Sequence, residues 1–291
     1  DDTNADTVVF DAELSPKQVA NLEYETGSHV MDRTELILEI FSRRAKTAEA
    51  KAQVELAYLD YTHPRMDQST RLRAYRGGLR GHGESLLGRK LRASKEKAKR
   101  LRKKLKKLEA SKETQQRNRR DMWTVALVGY TNAGKSTLLN ALSGEKVYAD
   151  DRLFATLDTT TRRVHLQDSR AALISDTVGF IRRLPHQLIA SFRSTLSEAL
   201  AADLLLHVAD ASSPTLEHQI KAVEQTLLEL DVTHDRILLG FNKIDALNEE
   251  DLSELRMTYR DAVFFSAKEK SGLDELRGAV YDAFVHGVAV S

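Results

Sequence analysis

Apolar and polar positions alternate along this chain with two different periods, and the switch between them divides it into three stretches. Thr7 to Phe10 and Ser28 to Met31 are short apolar runs of strand length. Between them Ser15 precedes Pro16, an N-cap followed by a proline in the first helical turn, and Lys17 to Tyr24 continues that helix. Two strands and one helix over residues 1–33 bury too little surface for a core of their own. The segment is therefore expected to complete an α/β subdomain whose earlier part precedes Asp1.

Helical spacing takes over next. Asp32 and Glu35 form a capping-box pattern that predicts one helix from about Thr34 to Tyr61, with Leu38, Phe41, Ala45, Ala48, Ala52 and Leu59 on one side. A second helix is predicted from Glu84 to about Arg119, where Leu87, Leu91, Ser94, Ala98, Leu101, Leu105 and Leu108 recur in steps of four and three. Two such stripes predict a long antiparallel helical hairpin with coiled-coil-like packing over residues 34–121. Its connection, residues 77–83, carries Gly77, Gly78, Gly81 and Gly83 and reads as a loop whose tip is open to a partner.

From Trp123 onward strand and helix patterns alternate. Strands are predicted at Thr124–Val128, Val164–Leu166, Ala171–Ser175, Leu204–Val208, Ile237–Phe241 and Val263–Phe265. Helices are predicted near Lys135–Leu142, Gln187–Leu200, Thr215–Leu230, Glu249–Met257 and Leu273–Phe284. That order over residues 122–291 predicts an α/β domain with a doubly wound, mostly parallel sheet, whose ligand loops lie at the carboxyl ends of its strands.

Composition adds little until it is taken locally. A chain of 291 residues, 41% hydrophobic and 30% charged, has the make-up of a globular protein, with no apolar run of membrane-span length. Cys is absent, which rules out disulfides, thiolate metal sites and a Cys nucleophile. The net charge of +1 conceals a polarised distribution. Arg89 to Arg120 holds 16 Lys and Arg against Glu96, Glu109 and Glu113, so the remainder of the chain nets −12. Few acids stand four residues away to pair with these cations, and their mutual repulsion favours a polyanionic partner over a bare solvated face. Nucleic acid is the expected partner, with Arg80 and His82 of the loop and Lys99, Arg102, Lys103 and Lys106 of the helix as candidate contacts. A membrane surface is the weaker alternative, because the apolar stripe is already needed for hairpin packing.

The candidate chemistry sits at the predicted strand ends. Gly129, Tyr130, Thr131, Asn132, Ala133, Gly134, Lys135, Ser136 and Thr137 spell G-x-x-x-x-G-K-S-T between a strand and a helix, the full context of a phosphate-binding P-loop. Backbone N–H groups and the helix N-terminus cradle phosphate there. Lys135 is expected to reach the β- and γ-phosphates, and the Ser136 hydroxyl to ligate Mg²⁺. Asp176, Thr177, Val178 and Gly179 form D-x-x-G, whose carboxylate holds Mg²⁺ through water and whose glycine N–H senses a γ-phosphate. Asn242, Lys243, Ile244 and Asp245 offer a carboxylate to guanine N1 and N2, donors that adenine lacks. Ser266, Ala267 and Lys268 present backbone N–H groups to guanine O6. Between the first two motifs a switch loop needs a threonine for Mg²⁺ and the γ-phosphate, and Thr156, Thr159, Thr160 and Thr161 all qualify by position. Phe180 stands where Ras-like GTPases place a water-orienting Gln. His165, His186, His207 and His218 have no supporting motif and are read as structural.

Taken together, G-Y-T-N-A-G-K-S-T, F-A-T-L-D-T-T-T-R-R, D-T-V-G-F-I-R-R-L-P-H-Q-L-I and N-K-I-D resemble the HflX family of ribosome-associated GTPases. V-V-F-D-A-E-L-S-P-K-Q-V-A-N-L-E, V-M-D-R-T-E-L-I-L-E-I-F-S-R-R-A and K-A-Q-V-E-L-A-Y-L resemble that family's N-terminal domain, so the likeness runs nearly end to end. The resemblance implies a Ras-like P-loop GTPase domain, Mg²⁺ as cofactor, a cytoplasmic setting, a monomer off the ribosome, and binding to the large ribosomal subunit and its rRNA. It also implies dissociation of stalled or idle ribosomes. The family's Mg²⁺-binding threonine falls on Thr156, and its switch loop on Phe154, Ala155, Thr156, Leu157 and Asp158. The stretch Gly81-His-Gly-Glu-Ser-Leu-Leu-Gly88 departs from the family's G-P-G-E-T-Q-L-E at His82, Leu86 and Gly88. The sequence stops about one helix after Ser266-Ala-Lys268, so the family's C-terminal extension is expected to be either absent or not included. Two other functions fit the pattern: a ribosome-assembly factor or RNA chaperone with a regulatory nucleotide domain, and a protein-interaction switch whose hairpin grips another coiled coil.

Overall fold

The computed structural model describes residues 5–77, 86–117, 122–144, 159–181, 201–233 and 236–288. These divide into two compact units, one formed by the chain up to Lys112 and the other from Glu113 on.

The first unit opens with two parallel strands, β1 (Thr7–Phe10) and β2 (His29–Asp32), joined by α1 (Pro16–Thr26). Ser15 caps α1 as the sequence predicts, with Gln18 reaching back to the Ser15 N–H in a reciprocal box. Asp32 then caps α2 (Arg33–Arg44) by accepting the Glu35 N–H at 2.9 Å.

The single helix expected over 34–61 is two helices. Residues 45–47 leave the helical path, with Ala45 extended at ψ 112°. A new helix, α3 (Ala48–Gly77), starts where the Thr47 hydroxyl accepts the Ala50 N–H at 3.0 Å. The competing signal is a local cap, a threonine followed by Glu49 in the first turn, which outweighs an apolar stripe that runs straight through it. Nor does α3 stop at Tyr61; it continues past Pro64 to Gly77. Tertiary contacts hold the axis on both sides of the proline: Tyr61 is buried, and Arg65 Nη2 donates to Leu14 O at 2.6 Å and to Asp32 Oδ2 at 2.8 Å. Asp32, fully buried, thereby caps α2 and anchors α3.

The hairpin partner is α4 (Leu86–Arg117). Ala52 and Leu56 pack against Ala98 and Leu105, with Leu59 and Leu101 beside them. Glu55 pairs with Lys97, Asp60 with Arg102 at 2.5 Å, and His63 with Ser94.

The second unit carries a six-stranded sheet in the order β4-β5-β3-β6-β7-β8. The strands are β3 (Trp123–Val128), β4 (Thr160–His165), β5 (Ala171–Asp176), β6 (Leu204–Asp210), β7 (Ile237–Asn242) and β8 (Val263–Phe264). All neighbours are parallel except β4, which runs antiparallel to β5 at the edge. The described helices are α5 (Lys135–Ser143), α6 (Leu216–Glu229), α7 (Glu249–Thr258) and α8 (Leu273–His286). The predicted Gln187–Leu200 helix lies outside the described residues. Near-continuous burial along β3 and β6 marks them as central strands, covered on both faces. One face packs Leu127, Leu206 and Val208 with Leu138, Leu139 and Leu276; the other packs Ala209 and Phe241 with Ile220.

Candidate functional site

Four of the five sequence motifs follow strands of this sheet, two on the neighbours β5 and β3 and two on the neighbours β7 and β8, with β6 between the pairs. The loop after β3 turns with Asn132 at φ 64° and Gly134 at φ 93°, a left-handed pair that points successive N–H groups inward. Helix α5 begins at Gly134 with no side-chain cap, so its first-turn amides face the loop. A Cβ on Gly134 would lie 2.2 Å from Asn242 Nδ2, so glycine is obligatory there for space as well as for its dihedral.

Lys135 is buried and curls back over its own loop, with Nζ donating to Gly129 O at 3.0 Å and Tyr130 O at 2.9 Å. Burial pulls its ammonium from the ordinary 10.5 down to about 8, while the Asp176 carboxylate pulls the other way. Ser136 Oγ donates to Asp176 Oδ2 at 2.6 Å, which brings the first and second motifs into contact. Thr137 follows in the first turn of α5, half-buried.

The second motif runs on from β5 along the P-loop. The Thr177 hydroxyl donates to Leu127 O at 2.6 Å, and Val178 is buried. Phe180 N–H donates to Gly129 O at 3.0 Å, and Phe180 O accepts the Thr131 N–H at 2.8 Å. Between them a Cβ on Gly179 would sit 2.9 Å from Thr131 Cα and 3.2 Å from Lys135 Nζ. The Phe180 side chain is buried, at 3% exposure.

The base end is stapled to the phosphate end by one residue. Buried Asn242 donates from Nδ2 to Ala133 O at 2.8 Å and accepts the Ala267 N–H on Oδ1 at 2.9 Å. The P-loop, N-K-I-D and S-A-K are thus held in one frame, with Ile244 N–H reaching Phe265 O. Asp245 lies exposed in a short 3₁₀ turn, Ile244–Ala246, and Lys268 is exposed beside the buried Ser266 and Ala267.

The switch threonines separate. Thr160 lies in β4 opposite Asp176, and the Thr161 hydroxyl bonds Ser175 Oγ at 2.9 Å, so both belong to the sheet edge. Phe154, Ala155, Thr156, Leu157 and Asp158 lie outside the described residues, as do Arg80 and His82. Lys99, Lys103 and Lys106 are exposed on α4 with no ion pair among the described residues, whereas Arg102 is already paired with Asp60.

Two further residues line the frame: His207, which the sequence reads as structural, and Asp210, which sequence reasoning passed over. His207 on β6 is buried; burial, then the Lys135 charge, lowers it from 6.5 to about 4 and keeps it neutral. Asp210 ends β6 and accepts from Lys243 Nζ at 2.7 Å. A carboxylate at the end of a predicted central strand is the signal that could have found it.

A mostly parallel sheet in this order, with a P-loop behind its first strand, defines a P-loop GTPase domain. Curated relatives named GTPase HflX are 46% identical in Magnetococcus marinus over 94% of this chain and 66% of theirs, and 42% identical in Flavobacterium psychrophilum over 95% and 73%. The chain belongs to the HflX family. The Escherichia coli relative of the same name is 42% identical over 99% of this chain and 69% of its own. Family models described as GTP-binding GTPase N-terminal, GTP-binding GTPase Middle Region, and 50S ribosome-binding GTPase match residues 1–42, 44–119 and 124–243. Among solved structures, a GTP-binding protein from Sulfolobus solfataricus in complex with GDP is 27% identical, with a TM-score of 0.53 over 95% of this chain and 80% of that one. The chain spans about two thirds of the length of the curated relatives it matches.

Proposed function

We propose that this chain is a GTPase that binds the large ribosomal subunit through rRNA and uses its nucleotide state to release stalled or idle ribosomes. The observation that carries the GTPase half is the Asn242 staple, which holds a phosphate cradle and a guanine-reading carboxylate in a single frame. Gly129 to Thr137 supply the phosphate cradle, and the Lys135 ammonium neutralises the β- and γ-phosphates. A bound polyanion favours the charged form of Lys135 that burial disfavours. Asp245 accepts from guanine N1 and N2, and the turn at Lys268 offers a backbone amide to O6.

The donor set fits Mg²⁺: a hydroxyl and a carboxylate, Ser136 and Asp176, meet at 2.6 Å with no soft ligand nearby. Ser136 would hold the ion directly, Asp176 through water, and Thr156 would complete the set. When bound, the ion neutralises charge that develops on the phosphates. Gly179 carries the N–H that senses the third phosphate. Phe180 offers no hydrogen bond to an attacking water, so turnover is slow alone and accelerates on the ribosome, where a partner orders the switch segments.

The ribosome half rests on the exposed lysines of α4 and on the relatives' family description. Lys99, Lys103 and Lys106 meet rRNA phosphates, joined by Arg102 and by Arg80 and His82 of the loop. The protein acts in the cytoplasm as a monomer until it docks; no described helix is long and apolar enough to cross a membrane. Cosedimentation with purified 50S subunits and 70S ribosomes, comparing a non-hydrolysable GTP analogue with GDP, tests the switch. Tighter binding with the analogue, and phosphate release stimulated at least about ten-fold by ribosomes, are expected. Equal binding in both states together with unstimulated turnover would overturn the proposal.

A further inference from the structure

The Asp210 carboxylate belongs to none of the nucleotide motifs, yet it is built into their frame. It ends β6 directly across from Asn242 on β7, with its side chain 16% exposed. Oδ1 accepts both the Ser212 N–H at 3.1 Å and the Ser212 hydroxyl at 2.6 Å, which fixes the carboxylate plane. Oδ2 is left for Lys243 Nζ at 2.7 Å. Lys243 itself sits at φ 66°, a left-handed conformation that a side-chain-bearing residue rarely adopts.

Position makes this pair consequential. Lys243 lies between Asn242, which is bound to the P-loop, and Asp245, the exposed carboxylate two residues on. Without Asp210, the nearest acid along the chain for this ammonium is Asp245. Pairing there would neutralise the group that has to receive two hydrogens from guanine. A paired carboxylate loses its power to discriminate, because adenine no longer leaves a bare acceptor unsatisfied.

We infer that Asp210 is a positioning residue for guanine selectivity: it holds the Lys243 ammonium away from Asp245. The inference rests on the guanine-nucleotide reading above. Charge, not size, is what the role requires, so an isosteric neutral residue fails and a longer acid succeeds.

Affinities for GDP and ADP, measured by titration calorimetry on the full chain, test it. Asp210→Asn keeps an acceptor for Ser212 and the size of the side chain, and a melting curve checks that it folds. It is expected to weaken GDP about ten-fold while leaving ADP unchanged, narrowing the ratio between them. Asp210→Glu retains the charge and stays within about three-fold of the wild type. In a Lys243→Met background, with no ammonium left to misplace, Asp210→Asn changes GDP affinity less than about two-fold. If Asp210→Asn binds GDP as the wild type does, or its loss persists in full beside Lys243→Met, the inference is overturned and the GTPase reading stands. If the wild type does not prefer GDP to ADP, both fall together.

Discussion

The two units use charge in opposite ways. In the second unit the polar groups that join the motifs are enclosed: the charged Lys135 and Asp176 and the neutral Asn242 are buried, each with named partners, around a core of 18 buried residues among those described. In the first unit the hairpin seam has, among the described residues, the four buried residues Ala52, Leu56, Ala98 and Leu105, and the described lysines Lys99, Lys103 and Lys106 of α4 are exposed. Enclosed charge works by geometry, since a buried group has one set of partners and a small displacement loses them. Displayed charge works by number, since each exposed lysine contributes little and salt screens it. The nucleotide unit should therefore fail at a single methyl group, and the hairpin only when several charges change together.

The sharpest way to break that contrast is Gly134→Ala. The added methyl meets Asn242 Nδ2 at 2.2 Å at a positive φ, so the staple has to open. Nucleotide affinity is expected to fall at least about 100-fold, close to 3 kcal/mol, in a fluorescent-nucleotide titration. Retention of wild-type affinity would show that the two ends of the site are not rigidly joined.

Reversing three lysines on α4, Lys99→Glu, Lys103→Glu and Lys106→Glu, should spare GDP affinity and weaken ribosome binding. It should also flatten the log–log salt dependence of that binding by about 2 to 3, one phosphate per lysine. Any one of the three alone should have a far smaller effect. Arg102→Glu makes the informative contrast, because Arg102 is already paired with Asp60 and its loss also costs the hairpin an interhelical contact. Ribosome binding unaltered at every salt concentration would reduce the α4 charge to a solvated face.

An effect confined to acid pH distinguishes the interior of the nucleotide unit. The folded state holds His207 at about 4, whereas the unfolded chain takes up a proton near 6.5. The unfolded state therefore binds more protons between these values, and stability falls as pH drops from 6.5 toward 4. The contribution is up to about 3 kcal/mol, and His207→Gln should remove that part of the acid limb in urea denaturation curves recorded at several pH values. Parallel acid limbs for the two proteins would contradict it.

The smallest change belongs to the first unit. Thr47→Ala removes the hydroxyl that accepts the Ala50 N–H at the start of α3. A loss of about 1 kcal/mol is expected in denaturant melts of the first unit, with nucleotide binding untouched. No loss would mean that the break at residues 45–47 is held by packing and not by its cap.

How much of this was legible differs with the range of the interaction. The P-loop, D-x-x-G, N-K-I-D and S-A-K could be read because each is a short run whose spacing carries its own chemistry, and strand periodicity placed each at a strand end. The Ser15 cap of α1 and the capping role of Asp32 were local as well. The break between α2 and α3 was readable in principle from Thr47, but an apolar stripe that continues across it masked the signal. The course of α3 past Pro64 was not readable, since it depends on Arg65 reaching Leu14 and Asp32.

The sequence by itself determined the alternation of strands and helices beyond Trp123, the phosphate and base motifs, and the concentration of positive charge between Arg89 and Arg120. Only the tertiary structure decided which motif residues meet. Asn242 finds Ala133 across 109 positions, Ser136 finds Asp176 across 40, and Lys243 turns to Asp210 across 33. It also decided that Thr161 is committed to Ser175 and Arg102 to Asp60. The physical reason is that local spacing fixes where a side chain leaves the backbone, whereas its partner is set by how strands and helices far apart in sequence come together. A one-residue shift of the parallel strands would leave every motif intact and break the contacts of Ser136 with Asp176 and of Lys243 with Asp210.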